Sequence, residues 1–136
     1  MTKKKVLFVC THNSARSQLA EGLLRALYPE DYEVYSCGTV VTSVNPNSVE
    51  VMNEIGVDIS KLYSKDLSKL KDIKFDQVVT VCDNVREACP FFSGAKKYTH
   101  YSFKDPSAVL GDPEVILDAF RSTRDEIREW LVKTFG

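Results

Sequence analysis

The stretch from Lys4 to Val9 is a short, nearly continuous apolar run behind a basic start, and Cys10 falls at its carboxyl end. A run without alternation suits a strand buried on both faces of a parallel sheet better than a one-sided hairpin strand. From Arg16 the apolar positions Leu19, Ala20, Leu23, Ala26 and Leu27 recur at helical spacing until Pro29 closes the segment. Tyr32 to Cys37 reads as a second strand ended by Gly38, and Pro46 to Ile55 as a helix with Val49, Met52 and Ile55 on one face, stopped by Gly56. Residues 57 to 74, rich in Lys, Asp and Ser around Leu62, Leu67 and Leu70, suggest loop with a short helix. Gln77 to Val81 is the strongest β run, with Cys82 at its end, and Lys97 to Phe103 is a weaker strand followed by Asp105 and Pro106. Pro113 to Phe135 carries Ile116, Ala119, Phe120, Thr123, Ile127, Leu131 and Phe135 in helical register, a long amphipathic helix.

Strands alternating with helices predict an α/β fold, a central four-stranded parallel sheet with helices on both faces, and a single catalytic domain over residues 1–136. Ligands in such sheets bind beyond the carboxyl ends of the strands. Cys10, Cys82 and Asp105 all fall at or just after strand ends, so three chemically able residues are expected on one rim.

Composition narrows the partners. The 136 residues carry 18 Lys and Arg against 19 Asp and Glu, a formal net charge of -1, so no global basic field supports binding to nucleic acid or to an anionic membrane. Any anion site must be local. No run approaches the roughly 18 to 20 apolar residues of a membrane span, and the apolar stretch Val6 to Cys10 is too short for a secretory signal. The expected compartment is the cytoplasm, where structural disulfides are rare, so Cys10, Cys37, Cys82 and Cys89 call for another explanation.

The segment Cys10, Thr11, His12, Asn13, Ser14, Ala15, Arg16, Ser17 has a cysteine and an arginine separated by five residues, between a strand and a helix. Successive backbone N–H groups of a tight loop and a helix amino terminus make a concave anion site, and Arg16 can fork two hydrogen bonds onto a tetrahedral oxyanion. The same positive surroundings favour thiolate over thiol at Cys10, making it a nucleophile beneath the anion it holds. A small apolar cysteine ending a buried strand is the plainer alternative. Cys82 and Cys89 are separated by six residues. With only His12 and His100 as histidines and no Cys-x2-Cys arrangement, no metal site is expected, which leaves a redox role or two inert buried thiols.

The loop, its place after the first strand, and Asp105-Pro106 resemble the low-molecular-weight protein tyrosine phosphatase superfamily across essentially the whole chain. The resemblance implies that Cys10 is the nucleophile, that Thr11, His12, Asn13, Ser14, Ala15, Arg16 and Ser17 bind the oxyanion, that Arg16 steadies the transition state, and that Asp105 is the general acid. Val81 to Pro90, with Cys82 and Cys89, is similar to the redox segment of the thioredoxin-coupled arsenate reductases within that superfamily. Tyr35-Ser36, Asn45-Pro46, His100 to Phe103 and Arg124 to Ile127 add to the likeness. It implies a relay of three thiols, Cys10, Cys82 and Cys89, because releasing arsenite from a thiol-arsenate adduct takes two electrons that one thiol cannot supply.

The implied function is cytoplasmic arsenate reduction for arsenic detoxification with residual phosphatase activity, by a monomer with no bound cofactor and reduced thioredoxin, or a similar dithiol protein, as electron donor. The substrates are arsenate and phosphate oxyanions. A phosphatase in which Cys82 and Cys89 stay idle, and a non-enzymatic oxyanion or redox sensor, are the competing expectations. Three departures from the family stand out. Lys104 replaces a second acidic residue common before the Asp-Pro pair. Ala15 and Cys37 stand where relatives often have Cys and Ala, and Cys37 reads as a packing residue. Some relatives bind potassium beside the loop through residues matching Asn13, Ser36 and Glu21, together with an aspartate where this chain has Lys65, which argues against that site here.

Overall fold

The computed structural model describes residues 3–81 and 95–136. Its elements follow in the order β1 (Lys4–Cys10), α1 (Arg16–Leu27), β2 (Tyr32–Gly38), α2 (Pro46–Asn53), β3 (Gln77–Thr80), β4 (Lys97–His100) and α3 (Pro113–Phe135), with short 3-10 helices at Leu67–Leu70 and Pro106–Ala108. The strands form one sheet in the order β2-β1-β3-β4, every pair parallel. This is the α/β architecture with a four-stranded parallel sheet that the alternating pattern predicts. Register pairs Cys10 with Gly38 and Thr80 with His100, so the carboxyl ends of all four strands share one rim.

Central β1 is buried from Val6 to Cys10, which explains its unbroken apolar run, whereas β4 is an edge strand and mostly exposed. Val6 and Phe8 point to one face, where they pack with Leu19 and Leu23 of α1, Val51 and Met52 of α2, and Phe120, Ile127 and Leu131 of α3. Each large side chain buried this way contributes about 1.5–3 kcal/mol. Leu7 and Val9 point the other way. Among the described residues they are covered by Leu70 of the first 3-10 helix and by Phe75, beside Cys37 and Val78. Among the described residues the three α-helices therefore lie together over one face and a 3-10 helix lies over the other.

Element ends differ slightly from the sequence expectation, for local reasons. The helix from Pro46 stops at Asn53 rather than Ile55. The N–H groups of Ile55 and Gly56 reach back only three residues, to Met52 and Asn53, and Gly56 turns the chain at φ 79°. Its start is as the sequence suggests, with the Asn45 side chain accepting from the Asn47 N–H at 2.9 Å ahead of Pro46. The strand from Lys97 ends at His100 rather than Phe103, because its neighbour β3 itself ends at Thr80. Tyr101 makes one more bond, to the Thr80 carbonyl, and Phe103 then turns inward against Trp130. Arg124, buried on α3, donates to the Val51 carbonyl at 2.8 Å and to Glu54 at 2.9 Å, tying α3 to the end of α2. Among the described residues no helix is long and apolar enough to cross a membrane.

Candidate active site

Between β1 and α1 the chain makes a tight loop whose carbonyls all find partners outside it. The Thr11 carbonyl accepts from the Thr39 and Val40 N–H groups, His12 from the Thr42 and Ser64 hydroxyls, Asn13 from the Gln18 amide, and Ser14 from the Asn45 N–H and the Ser48 hydroxyl. In a planar trans peptide the N–H points opposite the carbonyl, so outward-held carbonyls turn the loop's N–H groups toward its concave side. Asn13, buried at φ 51°, provides the left-handed step that curls the loop. Ala15 at the start of α1 has no side-chain acceptor, which leaves the first-turn N–H groups to an anion.

Gly38 is the reason the loop can sit this close to β2. A Cβ there would lie 2.6 Å from the Thr11 carbonyl oxygen and 2.8 Å from the Asn13 nitrogen, both backbone atoms with no room to yield. Gly38→Ala is expected to cost about 1–3 kcal/mol of stability and to weaken phosphate binding together with it. Urea unfolding and phosphate titration of the same preparation check both.

A row of hydrogen bonds runs through the base of the loop. The Asn13 amide nitrogen donates to Ser17 Oγ at 2.8 Å and to Ser36 Oγ at 2.9 Å, while its oxygen accepts the Lys65 N–H at 3.0 Å. Ser36 then donates to the Glu21 carboxylate at 2.5 Å. Ser17, accepting from Asn13, still has its own hydrogen and lies 2.8 Å from Cys10 Sγ, so it can donate to the sulfur once that is a thiolate. A hydroxyl donor on the sulfur suits a thiolate.

Arg16 is buried, and its Nη1 donates to the Phe103 carbonyl at 3.3 Å. Its Nη2 lies 3.7 Å from Asp105 Oδ2. The other Asp105 oxygen caps the second 3-10 helix, accepting from the Ser107 N–H at 3.0 Å and the Ser107 hydroxyl at 2.6 Å. One carboxylate oxygen is therefore held and the other faces the loop's arginine. The chain bend after β4 brings Asp105 to a loop 89 residues earlier in sequence, as its place after the last strand suggests. Among the residues read from the sequence, Cys10, Asn13, Arg16, Ser17 and Asp105 come together here. His12 is exposed and serves the loop through its carbonyl. Cys82 and Cys89 lie outside the described residues.

Cys37 is buried on the opposite sheet face among Leu7, Val9 and Val78. Burial first, and then the neighbouring Cys10, push its thiol up to about 12, so it stays protonated and packs, as its sequence context suggests. His100 Nδ1 lies 2.7 Å from the Thr80 hydroxyl at the exposed end of β4. Gly38 is the position whose role the sequence did not announce, and a glycine ending the strand beside the cysteine strand is the one signal that could have pointed to it. Lys65 stands where some relatives have an aspartate, a difference already legible in the sequence.

Among the described residues no group of three or more histidine, cysteine, aspartate or glutamate side chains could hold a metal ion. Nor do the residues beside Glu21 fit potassium. The Lys65 ammonium lies 4.0 Å from Glu21 Oε1 and donates to the Tyr63 carbonyl at 3.1 Å, so a cation already stands against that carboxylate.

A parallel α/β sheet with a cysteine, an inward-turned amide loop, an arginine and an aspartate on its carboxyl rim defines a class of cysteine-bearing oxyanion-binding domains. Within that class the chain belongs to the low molecular weight phosphotyrosine protein phosphatase family, which it matches over residues 5–135. It is 41% identical over 136 residues to the arsenate reductase of Halalkalibacterium halodurans, covering 100% of this chain and 97% of that protein. The solved structure of an arsenate reductase in its oxidized state superposes with a TM-score of 0.79 at 28% identity, covering 96% of this chain and 95% of the other. The thioredoxin-dependent arsenate reductase of Corynebacterium glutamicum superposes at 0.67 and 28% identity, covering 96% of this chain and 61% of the other. The resemblance drawn from the loop and the cysteine spacing is thereby supported at both the sequence and the structural level.

Proposed function

We propose that this protein is an arsenate reductase working through Cys10, Cys82 and Cys89, with reduced thioredoxin or a similar dithiol protein as electron donor. The observation that carries the reading is the convergence of Cys10, Arg16 and Asp105 on one loop, in a chain that also has Cys82 and Cys89.

Arsenate enters the loop as a tetrahedral oxyanion held by backbone N–H groups and the Arg16 fork. The Cys10 thiolate attacks arsenic, an As–O bond breaks, and Asp105 gives its proton to the departing oxygen, which leaves as water. Asp105 is placed for this task, with one carboxylate oxygen held by Ser107 and the other facing Arg16 of the loop. The Cys82 thiolate then attacks the Cys10 sulfur. The S–As bonding pair passes to arsenic, which leaves as arsenite, As(V) becoming As(III), and a Cys10–Cys82 disulfide forms. Cys89 attacks Cys82, frees the Cys10 thiolate and leaves a Cys82–Cys89 disulfide for the dithiol protein to reduce. Val81, the residue before Cys82, donates its N–H to the carbonyl of Val9, the residue before Cys10, at 2.9 Å. Phosphate esters can be attacked by the same Cys10, with water resolving the phosphocysteine, so a residual phosphatase activity accompanies the reductase. Residues 1–136 act as one catalytic domain, a cytoplasmic monomer serving arsenic detoxification.

The test is arsenate-dependent NADPH consumption with thioredoxin and its reductase. Wild-type protein should turn over repeatedly. Cys82→Ser should keep phosphate-ester hydrolysis and lose arsenite release, and Cys89→Ser should release at most one arsenite per protein and stop as a Cys10–Cys82 disulfide. Wild-type turnover by both variants would remove the relay. Absence of arsenate turnover with brisk ester hydrolysis would leave the phosphatase named by the family.

Asp105→Asn should slow adduct formation by about 10²-fold or more, the usual worth of a placed acid, while oxyanion binding persists. The burst amplitude and rate with a nitrophenyl phosphate substrate report this directly. A loss of binding with normal burst rate would make Asp105 a structural cap alone.

A further inference from the structure

We propose that the Lys65 side chain is a built-in cation for the anion loop, taking the place beside Glu21 that a monovalent metal ion would fill and making the protein independent of potassium. The Lys65 and Glu21 side chains are only 9% and 4% exposed. The ammonium reaches the Tyr63 carbonyl at 3.1 Å, stands 4.0 Å from Glu21 Oε1, and lies 4.8 Å from the centre of the Tyr63 ring. Glu21 has a second cation, Arg25, at 2.7 Å from its other oxygen, but Arg25 also serves the Val34 carbonyl and its side chain is half exposed. Lys65 is thus the inner counter-ion and Arg25 the outer one. Burial pulls the Lys65 ammonium below the usual lysine range, and the Glu21 carboxylate opposes part of that pull.

The charge matters because of where Glu21 leads. Glu21 accepts from Ser36, Ser36 from Asn13, and Asn13 also donates to Ser17, which faces the Cys10 sulfur. A Glu21 carboxylate with a cation against it anchors one end of this row of hydrogen bonds, whose other end is the Ser17 hydroxyl against the Cys10 sulfur. Lys65 acts here as a positioning residue. Its backbone contributes separately, since its N–H donates to Asn13 Oδ1 and its carbonyl accepts from the Gly38 N–H, and neither bond depends on the side chain. Substituting the side chain therefore removes the cation while leaving the loop's backbone support in place.

The inference rests on the loop being the oxyanion site and not on arsenate being the substrate. The closing experiment measures melting temperature, phosphate affinity and kcat/KM for a nitrophenyl phosphate in potassium chloride and in choline chloride at equal ionic strength. Wild-type protein should give the same three values in both salts, a result that needs no variant; a saturable rise of melting temperature with potassium would overturn the proposal. In choline chloride Lys65→Gln and Lys65→Asp should melt lower and lose about 10- to 100-fold in kcat/KM through misplacement of the loop. Potassium should restore most of both losses. Variants that lose nothing in choline, or whose losses potassium leaves untouched, would reduce Lys65 to an ordinary buried ion pair. Failed arsenate turnover alongside the expected cation response would overturn the arsenate reading alone.

Discussion

Replacing Cys10 by serine should abolish both arsenate reduction and phosphate-ester hydrolysis, by about 10⁴-fold or more. Both reactions begin with the same attack, and a serine hydroxyl at neutral pH has neither the ionised fraction nor the nucleophilicity of a thiolate. The oxygen also cannot carry the later redox step, because a disulfide needs sulfur at this position. The loop should survive the change. Its curl comes from Asn13, its carbonyls are tied to residues outside it, and Ser17 can donate to an oxygen as to a sulfur. Phosphate should therefore still bind to Cys10→Ser by titration calorimetry while steady-state assays read zero. Retention of either activity would place the nucleophile elsewhere.

Arg16→Lys should be nearly as damaging, with a loss of about 10²- to 10³-fold in kcat/KM, the scale of removing a placed oxyanion donor. The guanidinium is used at three points in a plane. Nη1 is held by the Phe103 carbonyl, Nη2 faces Asp105, and the same fork must receive two oxygens of the substrate. An ammonium has three donors, but they spread from a single nitrogen and cannot reproduce this planar fork. The buried Phe103 carbonyl would lose its donor, so a modest fall in melting temperature should accompany the kinetic loss. Steady-state kinetics with both substrates, compared with melting curves, separate the two effects; near-normal kinetics would contradict the oxyanion-loop assignment.

Cys10 and Arg16 were legible in the sequence because their signals are local. An apolar run ended by a cysteine, a polar loop and a helical repeat opened by an arginine need no knowledge of distant contacts. Asp105 was legible for a different reason, since parallel topology alone gathers strand ends on one rim. The contacts of Lys65 were not. It lies in a stretch without apolar periodicity, and its partners Asn13 and Glu21 are 52 and 44 residues away in sequence. The ends of α2 and β4 were misjudged by two or three residues because their stops are set by neighbours, Gly56 with its turn in one case and the end of β3 in the other.

The position of α3 at the end of the chain order has a consequence for synthesis. This helix supplies Phe120, Ile127 and Leu131, all fully buried, to the sheet face on which Val6 and Phe8 sit. It also closes contacts of long range, from the Tyr32 hydroxyl to the Phe135 carbonyl and from the Phe8 ring to the Phe135 ring. Until those residues leave the ribosome, the strands that emerge first have only α1 and α2 as cover on that face. Non-local closure of this kind is slow and leaves apolar surface open to aggregation. A nascent chain stalled before Pro113 is thus expected to expose the part of that face that α3 fills, the surface a chaperone would have to hold.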